Sequence, residues 1–240
     1  MIQSSTHLPH ASLAPFISKY WIAQNNGDTC IDVPLLPDGY IDIVYHDRQI
    51  SLYTLMDTTQ VKSIPAGGRF IGVKLRADVI SCWIDAEICN EVVELHTLDF
   101  ALAKMLDVAY HDKDIYKALD SVFREYFRDK VFIPKVVQAL DIIKKTHGNI
   151  AIQKLCKKVD ISQKHLHRLF LKNVGVAPKP YVDIVRFYNI HRLFMQEGRE
   201  KMGQKVLECG YYDQAHFNRH FKKLTGVQPS SSLMSVFYKT

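Results

Sequence analysis

The chain has 240 residues, of which 47 % are hydrophobic and 23 % are charged, with 11 Gly and 9 Pro. This composition excludes a disordered, collagen-like or low-complexity chain, and the length suffices for one or two domains with a core. The formal net charge of +6 is unevenly distributed, because residues 1–132 sum to −6 and residues 133–240 sum to +12. The asymmetry indicates that the C-terminal half meets a polyanion and that the acidic half has another role.

The N-terminal sequence and the cysteines indicate a compartment. Residues 1–7 lack the basic start and apolar core of a secretory signal, and no apolar run approaches the roughly 18 residues of a membrane span. The five cysteines are scattered and form no C-x-x-C pair, which argues against a disulfide framework and a structural zinc site. We therefore expect a cytoplasmic protein without a membrane segment or cofactor.

Residues 1–130 are predicted to form a small, mostly-β, barrel-like domain that ends in a helical hairpin at about 98–130. Strand-like runs at 41–45 and 70–75 are bounded by turn signals, and several short strands at this spacing favour a small sheet or barrel. Either this sheet or a second chain covers the apolar stripes of the hairpin, and the sequence leaves both open. The stripes are Leu98, Leu102, Met105, Leu106 and Ala109, then Ile115, Leu119, Val122, Phe123 and Tyr126.

Residues 133–240 are predicted to form a second, all-α domain, which makes the fold class α+β. The charge changes sign just before Pro134, a residue that is favoured at the first position of a helix. The hydrophobic periodicity that follows is helical throughout. The seven predicted helices cover 134–146, 151–159, 162–174, 180–196, 201–209, 213–225 and 230–236.

An internal repeat with an offset of 51 residues lies in the helical half. Gln163, Arg168 and Gly175 superpose on Gln214, Arg219 and Gly226, and eight identities fall within one 16-residue window. Each copy is predicted to be a helix-turn-helix motif. We expect left-handed turn residues at Asp160 and Gly210, and N-caps of the second helices at Ser162 and Asp213.

The two second helices are predicted to present a polar face to DNA. Leu166, Leu169, Phe170 and Asn173 in the first copy, and Phe217, Phe221 and Leu224 in the second, form the inward stripes. Arg can bond a guanine edge and Gln or Asn an adenine edge in the major groove. The residues left facing outward are Gln163, Lys164, His167, Arg168 and Lys172, then Gln214, Ala215, Asn218, Arg219 and Lys222.

The helix between the two copies is predicted to be mostly buried. Over residues 181–196 only Asp183, Arg186 and Arg192 form a polar edge, so a buried connector would fix the relative orientation of the motifs. Two recognition helices can enter successive major grooves only if they lie about one helical turn, roughly 34 Å, apart.

The stretch from Glu208 to Pro229 resembles the long signature of the AraC/XylS family of bacterial transcription regulators. Residues 162–170 and 174–179 resemble the first motif of the same domain, and the likeness covers about residues 134–236. Weaker likeness, at 36–44 and 68–76, is to the mostly-β sensor-like module of short family members. The sequence departs from the family pattern at Cys156, Lys205, Val206 and His220.

The resemblance implies a sequence-specific regulator that binds double-stranded DNA in the bacterial cytoplasm and at the nucleoid. RNA polymerase, a small-molecule effector and a second copy of the chain are further expected partners. The implied base-reading residues are Lys164, His167, Arg168, Gln214, Ala215, His216 and Arg219. Phosphate contacts are expected from Lys154, Lys157, Lys158, Lys172, Lys179, Lys222 and Lys223.

Two other functions remain open alternatives. A cupin-like metal enzyme fused to a DNA-binding domain could use Asp42, Asp47 and the imidazoles of His7, His10, His46, His96 and His111, but their spacing fits no metal motif. A non-specific DNA-coating protein would lack the repeated pairing of Gln with Arg. Because the spacing of the histidines fits no metal motif, we expect that the protein is not an enzyme. No residue is assigned to an effector: Trp21, Tyr40, Tyr45, Tyr53 and Trp83 could line a pocket or form core.

Overall fold

The computed structural model describes residues 2–85, 87–197 and 202–229. Strands precede α-helices along the chain, which confirms the α+β prediction. The strands are β1 (Ile2–His7), β2 (Ile17–Asn25), β3 (Ile31–Leu35), β4 (Tyr40–His46), β5 (Gln49–Tyr53), β6 (Gln60–Ile64), β7 (Arg69–Arg76) and β8 (Val92–Glu94). The helices are α1 (Leu95–Leu98), α2 (Phe100–Tyr110), α3 (Ile115–Phe127), α4 (Pro134–Lys145), α5 (Ile152–Val159), α6 (Gln163–Val174), α7 (Pro178–Glu197), α8 (Met202–Glu208) and α9 (Gln214–Thr225).

The N-terminal strands form two antiparallel sheets. Six strands pair in the order β1-β2-β7-β4-β5-β8, and β3 pairs with β6. Side chains alternate between the faces of the larger sheet: Ile43 belongs to the main core that includes α2 and α3, whereas Val44 packs in a small cluster with Ile64 of β6. Leu106 of α2 and Phe123 of α3 are fully buried in the main core, so the protein's own sheet covers the hairpin stripes.

Six helices of the C-terminal half lie close to their predicted positions. Helix α7 begins at Pro178, two residues before the predicted start, because a proline is tolerated in the first turn of a helix. The predicted helix at 230–236 lies outside the described residues. No helix in the described parts of the chain is long and apolar enough to cross a membrane.

Helix α7 joins two separate hydrophobic clusters, which confirms that the connector is mostly buried. Its first half, up to Val185, belongs to the main core together with the N-terminal sheet, α4, α5 and α6. Its second half, from Phe187 to Phe194, belongs to a smaller cluster with α8 and α9. The first motif therefore shares its core with the β-rich half, whereas the second motif has a core of its own.

The predicted exposure of Arg186 is wrong. Its side chain is buried, and its Nε and Nη2 donate hydrogen bonds of 3.0 and 2.8 Å to the carbonyl oxygen of Gly148. Gly148 follows α4 with φ of 70°, and its backbone lies so close to α7 that a Cβ would overlap the Arg186 backbone. The guanidinium is buried because it satisfies this buried carbonyl. Asp183 is half-buried and Arg192 is exposed, closer to the prediction.

Candidate nucleic-acid interface

The first helix-turn-helix motif consists of α5 and α6. Asp160 has φ of 53° and ends α5 in the predicted left-handed conformation, and the Ser162 side chain accepts a hydrogen bond of 3.2 Å from the His165 amide at the start of α6. The ammonium of Lys135 on α4 donates to the Val159 carbonyl at 2.7 Å. The Val159 carbonyl, in the last turn of α5, thus gains a cationic partner from outside its own helix. This bond fixes α5 against α4.

The second motif repeats this geometry in α8 and α9. Gly210 has φ of 82°, and the Asp213 carboxylate accepts a hydrogen bond of 2.6 Å from the His216 amide, as predicted for the turn and the cap. A Cβ at Gly210 would overlap the side chain of Asn149, so this position requires both a left-handed backbone and a close approach. Gly210 lies three residues before the N-cap Asp213, whereas Asp160 lies two residues before the N-cap Ser162. The second turn is therefore one residue longer.

The inward stripes of both recognition helices are buried as predicted, except that Leu169 is half-buried. Leu166, Phe170, Phe217 and Phe221 are at most 1 % exposed. Asn173 is buried and donates a hydrogen bond of 2.8 Å to the Leu169 carbonyl, which satisfies its amide within α6. Each helix therefore has one face fixed by its core, which leaves the opposite face available to a partner.

The residues predicted to contact DNA lie on that opposite face. In the two helices the exposed ones are Gln163, Lys164, His167, Arg168 and Lys172, then Gln214, Ala215, Arg219, Lys222 and Lys223; His216 and Asn218 are half-buried. The structure thus exposes on each recognition helix a Gln near the N-terminus and an Arg five residues further on. Their contacts with bases remain a prediction.

His220 lies beside the polar face of α9 but is half-buried. Its Nδ1 lies 2.8 Å from the Tyr211 hydroxyl, and burial lowers its pKa to about 4. The ring is consequently neutral near pH 7 and offers no positive charge to a phosphate. His216, one turn earlier, accepts from the Tyr212 amide at 3.4 Å through its own Nδ1.

The depressed pKa of His220 predicts a pH-dependent stability. Because the unfolded imidazole titrates near 6.5 and the folded one near 4, the unfolded state binds more protons between these values. The stabilisation is fully present above about pH 6.5 and is lost as the pH falls through about 4, a change of at most about 3 kcal/mol. The free energy of unfolding, measured with urea at pH 7 and at about pH 4.5, gives this loss as the difference between the two values. His220→Gln, whose side chain does not titrate, should show a smaller difference than the wild type. Equal losses for both proteins would contradict the prediction.

Contacts from the N-terminal half reach the C-terminal ends of both recognition helices, which sequence reasoning missed. The Ile88 amide donates to the Gly175 carbonyl at 3.2 Å, and the Thr59 amide donates to the Leu224 carbonyl at 2.7 Å. Lys172, a predicted phosphate contact, forms an ion pair with Asp85 at 3.1 Å. Main-chain contacts between regions distant in sequence carry no residue signature, so the periodicity of α6 and α9 could not reveal them.

A cavity of about 520 Å³ lies between the N-terminal sheets and α7. Trp21, Val44 and Phe70 line it from the larger sheet, and Tyr188 and Arg192 line it from α7. Its polar edge is formed by Lys74, whose ammonium contacts Asp38 at 2.6 Å and Asp42 at 2.8 Å. Burial raises the pKa of Asp42, and the two carboxylates raise the pKa of Lys74.

The imidazoles considered for a metal site are dispersed. His7 stacks on Tyr116 and His46 on Phe70, while the Nε2 of His111 lies 3.2 Å from the Tyr45 hydroxyl. Within residues 2–85, 87–197 and 202–229, no three His, Cys, Asp or Glu side chains are placed so that they could hold a metal ion.

Comparison with known proteins places the same residues in a known class. Residues 155–233 match a family described as Helix-turn-helix domain, and residues 5–91 match a Domain of unknown function (DUF6597). The chain is 28 % identical to the Escherichia coli (strain K12) uncharacterized HTH-type transcriptional regulator YidL, over 94 % of this chain and 79 % of the relative. It is 29 % identical to the lactose operon transcription activator of Staphylococcus xylosus, over 37 % of this chain and 32 % of the relative.

Among solved structures, ToxT from Vibrio cholerae O395 superposes with a TM-score of 0.45 at 15 % identity, covering 100 % of this chain and 98 % of that one. The paired motifs and the sequence relatives define a helix-turn-helix, DNA-binding regulator of transcription. The signature at Glu208–Pro229, folded as the second motif, resembles that of the AraC/XylS family.

Proposed function

We propose that the protein reads a two-part DNA site, with α6 and α9 entering successive major grooves. The observation that carries the proposal is the repeated pair of exposed side chains, Gln163 with Arg168 and Gln214 with Arg219, on two helices with matching caps. Gln and Arg are the side chains suited to bidentate bonds with adenine and guanine edges. The proposed role of the protein is to bind DNA without catalysing a reaction, in the cytoplasm, where a bacterial chromosome lies.

The chemistry of the side chains divides the proposed interface into residues that contact bases and residues that contact phosphates. Lys164 and His167 on α6, and Ala215, His216 and Asn218 on α9, add to the proposed base contacts. The exposed lysines of α5 and those near the C-terminal ends of α6 and α9 are proposed to contact phosphates, which position the protein without reading sequence. They are Lys154, Lys157, Lys158, Lys172, Lys222 and Lys223; Lys179 at the start of α7 is also exposed but forms an ion pair with Asp183.

Two alanine variants on α6 test this division. Arg168→Ala is expected to weaken binding to the preferred duplex by about 1–3 kcal/mol and to relax the preference at one base pair, with little effect on random duplex. Lys172→Ala should weaken both duplexes alike and flatten the salt dependence by about one unit. Titrations by fluorescence anisotropy at several salt concentrations give both quantities. An equal loss on both duplexes for Arg168→Ala would contradict its role as a base reader.

We further propose that residues 1–130 form a regulatory domain and residues 133–240 the DNA-binding domain. The cavity against α7 supports a small-molecule effector, because its volume is in the range of ligand pockets and α7 contacts both motifs. An effector bound there should change the fluorescence of Trp21 and the DNA affinity together.

RNA polymerase remains a proposed partner. A second copy of the chain is supported by the exposed Phe100 and Val108 on α2.

A further inference from the structure

Two loops of the N-terminal half, residues 54–60 and 87–91, are joined into one unit that we name the Asn90 clasp. Asn90 is left-handed, with φ of 60°, and its amide group pairs with Asp57: its Oδ1 accepts from the Asp57 amide at 3.1 Å and its Nδ2 donates to the Asp57 carboxylate at 2.6 Å. The Asn90 main chain is bonded as well, donating to the Leu55 carbonyl at 2.9 Å and accepting from Gln60 at 3.0 Å.

A second set of bonds fixes the same two loops at their other end. The buried Thr54 donates from its amide and its hydroxyl to the Glu91 carbonyl at 3.0 and 3.1 Å, and its hydroxyl accepts from the Glu91 amide at 2.9 Å. Relative movement of the loops would break several of these bonds at once. The clasp therefore behaves as a rigid element.

Each loop of the clasp holds the end of one recognition helix. Ile88 donates to Gly175 after α6, and Thr59 donates to Leu224 in the last turn of α9. The final carbonyls of a helix lack partners within the helix and carry the negative end of its dipole, so an amide donor from elsewhere satisfies them. A Cβ at Gly175 would overlap the Ile88 carbonyl, which shows how closely the two backbones approach.

The clasp matters because the two recognition helices belong to different hydrophobic clusters. Phe170 of α6 lies in the main core and Phe221 of α9 in the smaller one, and α7 runs through both. We propose that the Asn90 clasp is a second brace that fixes the separation of α6 and α9, so that Asn90 is a positioning residue that sets the spacing between the two halves of the DNA site. This inference rests on the proposed binding by both helices.

The size of a one-base-pair change in spacing explains how such a brace would discriminate between DNA sites of different spacing. One base pair moves a half-site by about 3.4 Å along the duplex and rotates it by about 35°. A hydrogen bond of 2.7 Å, such as that from Thr59 to Leu224, does not survive a displacement of that size. A duplex with altered spacing must therefore break the clasp contacts or leave one helix misplaced in its groove.

Asn90→Gly tests the inference, because glycine keeps the left-handed backbone and removes the side-chain bonds to Asp57, Thr58 and Cys89. Asp47→Gly is the matched control, since Asp47 also has a positive φ, of 47°, but lies in the β4–β5 turn. For each protein the Kd is measured on the site selected by the wild type, on sites spaced one base pair wider or narrower, and on duplexes that keep only one half-site.

We expect the preference of the wild type for its own spacing to fall by about five-fold or more in Asn90→Gly, with half-site affinities unchanged. Asp47→Gly should keep the wild-type preference. If Asn90→Gly does not fold, Asn90→Asp, which has the same shape but cannot donate to Asp57, is held to the same criteria. An unchanged spacing preference, or a parallel loss on half-sites, would overturn the inference. A wild type that selects no two-part site would instead refute the proposed function.

Discussion

Arg186→Ala is expected to lower the free energy of unfolding by about 3–4 kcal/mol. The substitution removes two hydrogen bonds from a charged donor and leaves the buried Gly148 carbonyl without them. It also removes the contact between the guanidinium and the Tyr211 ring, whose centroid lies 5.7 Å away. Because Gly148 lies in the α4–α5 connection and Tyr211 in the turn of the second motif, the loss should loosen the contacts of α7 with both segments.

The matched control for this prediction is Arg192→Ala on the same helix. Arg192 is exposed, and its guanidinium bonds within α7 to Asn189 and Gln196, so its loss should cost less than about 0.5 kcal/mol. Urea unfolding followed by circular dichroism measures both variants. The role assigned to Arg186 is contradicted if the two variants unfold at the same urea concentration.

Gly175→Ala should be the more damaging of two equivalent glycine substitutions. Gly175 and Gly226 occupy the same position in the two repeats and end α6 and α9 with φ of 85° and 76°. Both alanines incur the left-handed backbone penalty of about 1–2 kcal/mol. At Gly175 the new Cβ would also overlap the Ile88 carbonyl, whereas at Gly226 it would meet no described atom within 4 Å.

We therefore expect Gly175→Ala to cost about 1–3 kcal/mol more than Gly226→Ala, the range typical of overpacking. Thermal and urea unfolding of the two variants give the difference directly, and the backbone penalty cancels in the comparison. Equal losses would mean that the β-rich half does not press against the end of α6 in solution.

Local features of the helical half were predictable from the sequence because they depend on neighbouring residues. The turn conformations of Asp160 and Gly210, the caps at Ser162 and Asp213, and the inward faces of α6 and α9 all follow from periodicity and side-chain chemistry. The repeat strengthened each assignment, because two independent stretches had to satisfy the same pattern.

Features that depend on distant parts of the chain were not predictable. Arg186 looked like part of a polar edge, because nothing in the sequence around it indicates that the Gly148 carbonyl is buried beside it. The neutral state of His220 depends on its burial against Tyr211, and the clasp depends on main-chain groups of Thr59 and Ile88 that any residue other than proline supplies. The cavity against α7 likewise exists only once both halves are assembled.

Selection of bound sequences from a random duplex pool shows whether α6 and α9 read two separate half-sites. The wild type, Arg168→Ala and Arg219→Ala are compared under the same salt conditions. Reading by both helices predicts a two-part consensus with half-sites about one helical turn apart, and the loss of base preference in a different half for each variant. A single-part consensus, or loss at the same base pairs in both variants, would contradict it.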